Sequence, residues 1–260
     1  YSSRADRIAQ AQRNVQNLVA LSQDGVGDAV PDLIVFPETT YPFAIVPNDT
    51  LEMAAQLSRP IIIGATYAPA SGAYNSMIVA DADGAVRDIY NKSHLVPFGE
   101  YSPFGIMPSP ANLTAGAGAT TITVNTAHGD FTFAPAICYE IVFSDALVPR
   151  NATPNAIINI TNDTWFGATP GTYQHLDMVR RYAIESGLPV IRANYSGISA
   201  FIGANGEIIS SLDIGVAGTV DGFVWGAHMT PYRAIGRNGW LIIILVFANV
   251  ASLLFNKKYR

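Results

Sequence analysis

The chain carries one cysteine, Cys138, in 260 residues. An internal disulfide and a cysteine-rich metal site are therefore excluded, while the redox compartment stays open. Charge is also scarce: Asp, Glu, Lys and Arg make up 13% of the residues, about half the roughly 25% usual for soluble domains. Such a surface has little to hold it in water alone. The net charge of −5, with no Lys/Arg cluster interleaved with aromatics, argues against nucleic acid as a partner. His94, His128, His175 and His228 form neither His-x-His nor His-Glu-x-x-His, so no metal site is expected. Gly-x-Ser-x-Gly is missing, which disfavours a serine hydrolase. Gly116 and Gly118 lack the strand before and helix after that a nucleotide fingerprint needs, and read as a flexible loop. No Ser/Gly/Pro-rich linker divides the chain, and Tyr1 to Asp24 is polar and helix-periodic with no signal-peptide core. The start at Tyr1, without Met, is what a fragment or a processed chain would show.

One long uncharged run is present. Gly239 to Phe255 (GWLIIILVFANVASLLF) is at the short limit for a membrane-spanning helix. Arg233 and Arg237 precede it, Lys257, Lys258 and Arg260 follow, and Trp240 stands where an interfacial anchor would. These residues predict one globular domain over 1–232 and a transmembrane helix with a short basic tail over 233–260. The basic excess after the run favours a cytoplasmic C-terminus and a body on the outer side.

Before that run the pattern alternates. Ser3 to Ser22 reads as an amphipathic helix, Asp32 to Phe36 as a short strand, Leu51 to Leu57 as a helix and Ile61 to Ala65 as a buried strand. This β–α–β order predicts a sheet covered by helices. Tyr74 to Ala80 and Ala85 to Tyr90 flank an Asp-Gly hairpin signal, and Ile198 to Gly203 with Glu207 to Ser211 repeat the device. Ala156 to Ile160 and Leu188 to Ala193 read as strands around a helix, Thr172 to Ser186, closed by Gly187. Thr219 to Trp225 reads as a last strand. Together these predict an α/β fold with a two-layer core and helices outside.

Cys138 ends the apolar, β-prone run Phe131 to Glu140 (FTFAPAICYE). A short helix is expected over Ile141 to Arg150, placing Cys138 on a strand-to-helix turn that exposes the sulfur and lowers its pKa. A buried structural cysteine is the plain alternative. Two other strand ends carry chemistry: Glu38 in Pro37-Glu38-Thr39, and Lys92 in Asn91-Lys92-Ser93-His94. A thiol, a carboxylate and an ammonium supply the nucleophile, proton carrier and oxyanion stabiliser of acyl transfer. Asn75, Trp165 and Gln174 are candidates to line the site, with a structural role the stronger reading for each, and the Asn-x-Ser/Thr triplets read as chance.

The contexts of those residues form an ordered set. Pro37-Glu38-Thr39, the run from Tyr90 to Tyr101 (YNKSHLVPFGEY), Ile137-Cys138-Tyr139-Glu140 and Asn162 to Gly167 (NDTWFG) resemble the nitrilase, or carbon–nitrogen hydrolase, superfamily. Within it they are similar to the acyltransferase branch that acts on bacterial apolipoproteins. The resemblance implies a four-layer α-β-β-α sandwich that needs no cofactor. It implies Cys138 as nucleophile, Glu38 as general base and Lys92 as oxyanion stabiliser, with Glu100, Tyr139 and Glu140 in support. The implied reaction moves an acyl chain from a membrane glycerophospholipid, through a Cys138 thioester, to the α-amino group of an apolipoprotein's diacylglyceryl-cysteine. Apolar loops at Tyr41 to Val46, Tyr101 to Leu113 and Thr164 to Phe166 would form the lipid entrance, or else simply pack over the core. The setting implied is the bacterial inner membrane, outer face, with a membrane-helix bundle preceding Tyr1. A nitrilase-type amidase for small amides and a membrane-tethered scaffold are the competing readings.

Overall fold

A computed structural model of the chain describes residues 3–23, 30–105, 111–143, 147–167 and 169–258. α1 (Arg4–Gln23) starts where Ser3 and Asp6 cap each other: the Asp6 amide donates to Ser3 Oγ, and Ser3 N donates to the Asp6 carboxylate. β1 (Ile34–Val35) and β2 (Ile61–Tyr67) run parallel, with α2 (Glu52–Leu57) between them in the chain. β3 (Tyr74–Ala80) and β4 (Val86–Asn91) follow antiparallel across the expected hairpin, closed by the Gly84 amide on the Asp81 carbonyl at 2.9 Å. The first sheet therefore has the order β1-β2-β3-β4.

The second sheet is built from β5 (Ile122–Thr126), β6 (Gly129–Ile137), β7 (Ala156–Asn162), β8 (Val190–Tyr195), β9 (Ser199–Ile202) and β10 (Ile208–Leu212), neighbours in that order. Its centre, β6-β7-β8, is parallel and both edges are antiparallel. α3 (Gly171–Ser186) connects β7 to β8 and ends at Gly187, whose left-handed φ of 66° closes the helix as expected.

Three buried clusters define the layers. Ile61, Ile63 and Ala65 point outward onto Val19 of α1 and Met53 and Ala54 of α2, while Ile62 points inward, following the period of two along a strand. Ile62, Met77, Val79 and Tyr90 meet Phe133, Ile137, Ile158 and Ile160 of the second sheet. Ala134, Ile157 and Val190 on the far face are covered by Leu176, Val179 and Tyr182 of α3. The result is the expected α-β-β-α stack. Truncating an isoleucine of the middle cluster to alanine would cost about 2–5 kcal/mol.

Two expectations need correction. The segment after Cys138 is a 3-10 turn, Cys138–Val142, rather than the start of a helix over Ile141 to Arg150; Glu140 folds back to accept the Ile137 amide and tightens it, and residues 144–146 lie outside the described ones. Thr219 to Trp225 is no strand: the edge strand β10 takes only a side-chain bond from this stretch, Ser210 Oγ to the Asp221 carbonyl. At the C-terminal end, α4 (Pro231–Lys258) is a helix interrupted at Gly236 (φ 73°, ψ 163°). Among the described residues no helix is long and apolar enough to cross a membrane. Residues 106–110 of the expected lipid-entrance loop and 259–260 of the basic tail also lie outside the described residues.

Candidate active site

Each of the three chemistry-bearing residues leaves the end of a strand, and the seam between the sheets brings them together. Beyond β1 the backbone keeps following β2, with the Phe36 amide on the Ile62 carbonyl at 2.7 Å and the Gly64 amide on the Pro37 carbonyl at 3.1 Å. Gly64 is required for this approach, because a Cβ there would overlap the Glu38 Cα and lie 2.5 Å from the Thr39 nitrogen. Lys92 follows β4 directly; its amide donates to the Asn75 carbonyl at 2.9 Å and its carbonyl accepts the Gly116 amide at 2.8 Å. Cys138 ends β6 in a left-handed conformation, φ 55°.

The charged groups converge without access to bulk water. Glu38 is 5% exposed and Lys92 1% exposed. Lys92 Nζ lies 3.0 Å from Glu100 Oε1 and 3.4 Å from Glu38 Oε1. Asn75 Nδ2 donates to the same two oxygens, each at 2.7 Å. Two carboxylates thus share one ammonium and one amide.

Burial decides how these groups hold protons. Desolvation raises the Glu38 pKa, with Lys92 and Asn75 opposing it. Burial would pull Lys92 down, yet the Glu38 and Glu100 carboxylates outweigh it and hold the ammonium charged. The Cys138 thiol is pushed up to about 11, first by burial and then by Glu38, with Lys92, the Thr161 hydroxyl and the Tyr139 amide pulling the other way. This reverses the lowered pKa expected from the turn, because desolvation of the half-buried Cys138 exceeds what a 3-10 turn supplies. A neutral thiol beside a carboxylate of raised proton affinity, with a fixed cation, suits proton transfer during attack rather than a standing thiolate.

Around this centre the supporting residues differ in kind. The Tyr139 ring lies 5.7 Å from Lys92 Nζ, and its hydroxyl donates to the Leu95 carbonyl at 2.9 Å. Fully buried Glu140 accepts at Oε1 from the Tyr90 hydroxyl (3.0 Å), the Ser93 amide (2.7 Å), the Ser93 hydroxyl (2.8 Å) and the His94 amide (3.0 Å). Its Oε2 accepts the Ile137 amide at 2.8 Å, so Glu140 ties the chain before Cys138 to the chain after Lys92. Glu100 Oε2 accepts the Val96 amide at 2.8 Å, which aims Oε1 at Lys92. Asn75, for which a structural role is the stronger of two readings from sequence, stands inside the site, whereas Trp165 is 79% exposed. No motif marks Asn75; only its place in β3, opposite Thr66, puts it there. Tyr139 also borders an open cavity of about 520 Å³ lined by Ser93, Leu95, Pro97, Tyr101 and Leu113 among others. Among the described residues no group of His, Cys, Asp and Glu side chains could hold a metal ion.

The carbon–nitrogen hydrolase family pattern matches residues 4–222, and the chain belongs to that family. Among curated relatives it is 40% identical over 218 residues to an apolipoprotein N-acyltransferase of Rhizobium leguminosarum, covering 76% of this chain and 40% of that protein. The apolipoprotein N-acyltransferase of Agrobacterium fabrum is 36% identical over 265 residues, covering 90% of this chain and 48% of the relative. The chain spans about half the length of the curated relatives it matches. Solved structures share the fold: a CN-hydrolase superfamily protein of Xanthomonas campestris (TM-score 0.58, 21% identity, 78% of this chain and 80% of that one) and Nit3 of Saccharomyces cerevisiae (TM-score 0.58, 18% identity, 81% and 82%).

Proposed function

We propose that this chain carries the acyl-transferring site of an enzyme that N-acylates apolipoproteins from membrane phospholipid. The observation that carries the reading is the meeting of Glu38, Lys92 and Glu100 in one buried ion cluster that is electrostatically coupled to Cys138. The names of the relatives supply the substrate class.

In the first half-reaction Cys138 Sγ attacks the ester carbonyl of a glycerophospholipid while Glu38 takes the thiol proton. The oxyanion faces the Lys92 ammonium, and a preorganised donor of this kind is worth about 3–4 kcal/mol in the transition state. Collapse breaks the ester C–O bond, the lysophospholipid oxygen takes the proton from Glu38, and a thioester remains. In the second half-reaction the α-amino group of a diacylglyceryl-cysteine attacks the thioester. Glu38 accepts the amine proton, and collapse forms the amide and releases the sulfur, which regains its proton from Glu38. Glu100 and Asn75 hold Lys92 and Glu38 in register, and Tyr139 and Glu140 hold the loops that present them.

The membrane setting rests on surface chemistry. Leu241, Ile242, Ile244, Leu245, Val246 and Phe247 of α4 are exposed, a patch that water does not favour and lipid does. Residues 1–232 form the catalytic unit in this reading. Residues 233–260 lodge in lipid as the C-terminal transmembrane segment, joined by membrane helices N-terminal to the unit, with the site on the outer face of the inner membrane. Exposed Phe98, Tyr101, Trp165 and Phe166 supply the apolar entrance.

The test uses full-length protein incubated with phospholipid and no acceptor. Intact mass should rise by one acyl chain on Cys138, and a diacylglyceryl-cysteine peptide should then remove it; Cys138→Ser should show neither. Turnover of small soluble amides without lipid-dependent acylation would replace the reading with an amidase. Unchanged function in Cys138→Ser would leave only a scaffold.

A further inference from the structure

The left-handed backbone at Cys138 is a conformation that a residue with a side chain keeps only when its surroundings impose it. Behind the thiol, the second sheet buries a row of polar side chains that the reaction does not consume. Asn159 on β7 is fully buried. Its Nδ2 donates to the Ala136 carbonyl at 3.2 Å and to the Cys138 carbonyl at 3.3 Å, so one amide grips the chain on both sides of Ile137. Asn159 Oδ1 accepts from Arg192 Nη1 on β8 at 2.6 Å. Arg192, its side chain wholly buried, donates from Nη2 to Asp163 Oδ2 at 2.9 Å and from Nε to the Ile198 carbonyl at 3.2 Å. Asp163 is held by Asn194 Nδ2 at 2.6 Å and by His175 Nδ1 at 2.8 Å.

A buried arginine–carboxylate pair adds little net stability, because desolvating both charges offsets their attraction. Its geometric yield is larger. The guanidinium is a planar, fixed fork, so the pair leaves Asn159 one amide orientation, with its NH2 toward the two carbonyls. We propose that Asn159, oriented by the Arg192–Asp163 pair, is a positioning residue that fixes the Cys138 turn so that the thiol faces Glu38 and Lys92. This rests on Cys138 as nucleophile and is independent of the acyl donor. Asp163 also opens the 3-10 turn Asp163–Phe166 that carries Trp165, so the same pair anchors the nucleophile and the exposed loop beside it.

The experiment compares wild-type, Asn159→Asp, Asn159→Ser and Arg192→Lys full-length protein by melting temperature, by steady-state transfer and by the pH profile of Cys138 alkylation with iodoacetamide. Asn159→Asp keeps an acceptor for Arg192 but turns a carboxylate oxygen on two carbonyls. It should lose about 100-fold in kcat, the size expected of a misplaced reacting group, with KM for phospholipid nearly unchanged, and its alkylation midpoint should move to higher pH. Asn159→Ser, which can restore one donated bond, should recover part of the rate. If Asn159→Asp does not fold, Arg192→Lys carries the test, because it keeps the charge beside Asp163 and loses the fork; it should lose kcat at a nearly unchanged melting temperature. Wild-type kcat and an unmoved alkylation profile in the folded variants would overturn the proposal and leave these residues a purely structural role. Alkylation needs no lipid, so a failure of the lipid assay in the wild type is separable from a failure here.

Discussion

Asn75 Nδ2 lies 2.7 Å from Glu38 Oε1, and the same nitrogen lies 2.7 Å from Glu100 Oε1. A buried carboxylate, Glu38, and a partly buried one, Glu100, are therefore kept together by one neutral amide and the Lys92 ammonium. Glu38, whose proton affinity is raised by burial, is the carboxylate of the two that is tuned to accept a proton.

The Asn75 bond lowers the Glu38 pKa, so its removal raises it further. In Asn75→Ala the base stays protonated to higher pH, and the acid limb of kcat/KM should shift upward. The rate at neutral pH should fall by about tenfold, a fraction of the roughly 10²–10⁴-fold attributed to general-base catalysis as a whole. A pH–rate series of wild type and variant checks this; an acid limb at the wild-type position would remove Asn75 from the site.

Glu38→Gln should separate reactivity from catalysis. Glu38 is the largest charge holding the Cys138 pKa up to about 11, after burial itself. Its neutralisation lowers the thiol pKa, so alkylation by iodoacetamide at pH 8 should be faster than in wild type. Acyl transfer should nevertheless be lost, since no group remains to carry the proton. Slower alkylation in this variant would contradict the electrostatics described above.

Lys92→Met leaves Glu38 and Glu100 without their cation. A buried pair broken by removing one partner typically loses about 3–5 kcal/mol. The sign with pH follows from the raised carboxylate: the folded state binds a proton that the unfolded chain releases above its ordinary pKa. Stability in this variant should thus fall as pH rises from about 4.3 upward and return on acidification. Urea melts between pH 4 and 8 check the slope, and a variant equally stable across that range would show the ammonium to be dispensable.

Gly64→Ala tests the route by which Glu38 reaches the site. The added methyl meets backbone at Glu38 and Thr39, which no rotamer change can relieve. Overpacking of this kind costs about 1–3 kcal/mol, and the displaced Glu38 should lower kcat at least as much as Asn75→Ala. Iodoacetamide should still label Cys138 in the folded protein, because the second sheet is untouched.

The sheets were legible because their strands are short apolar runs with Gly and Asp-Gly punctuation, and the expected strands at Ile61, Tyr74 and Ala156 start where β2, β3 and β7 do. Glu38, Lys92 and Cys138 were legible because each sits at a strand end within a distinctive run. Asn75, Asn159 and Arg192 were not. They lie inside strands, where an isolated polar letter says nothing of which buried partner will satisfy it. The Cys138 pKa was misjudged for a related reason: a local turn can be inferred from sequence, whereas the desolvation imposed by a second sheet packed over it cannot. β5 escaped notice because its pairing with β6 is an edge hairpin with alternating exposed residues.

The base and the cation arrive on one sheet while the sulfur arrives on the other, and the three meet only after both have closed on the Ile62–Phe133 seam. A polypeptide emerging with the first sheet complete carries no nucleophile, and one with a loosened seam holds its thiol idle. In the proposed reaction, competence to attack an ester would thereby be a late product of folding, which would spare neighbouring lipids from a half-made catalyst.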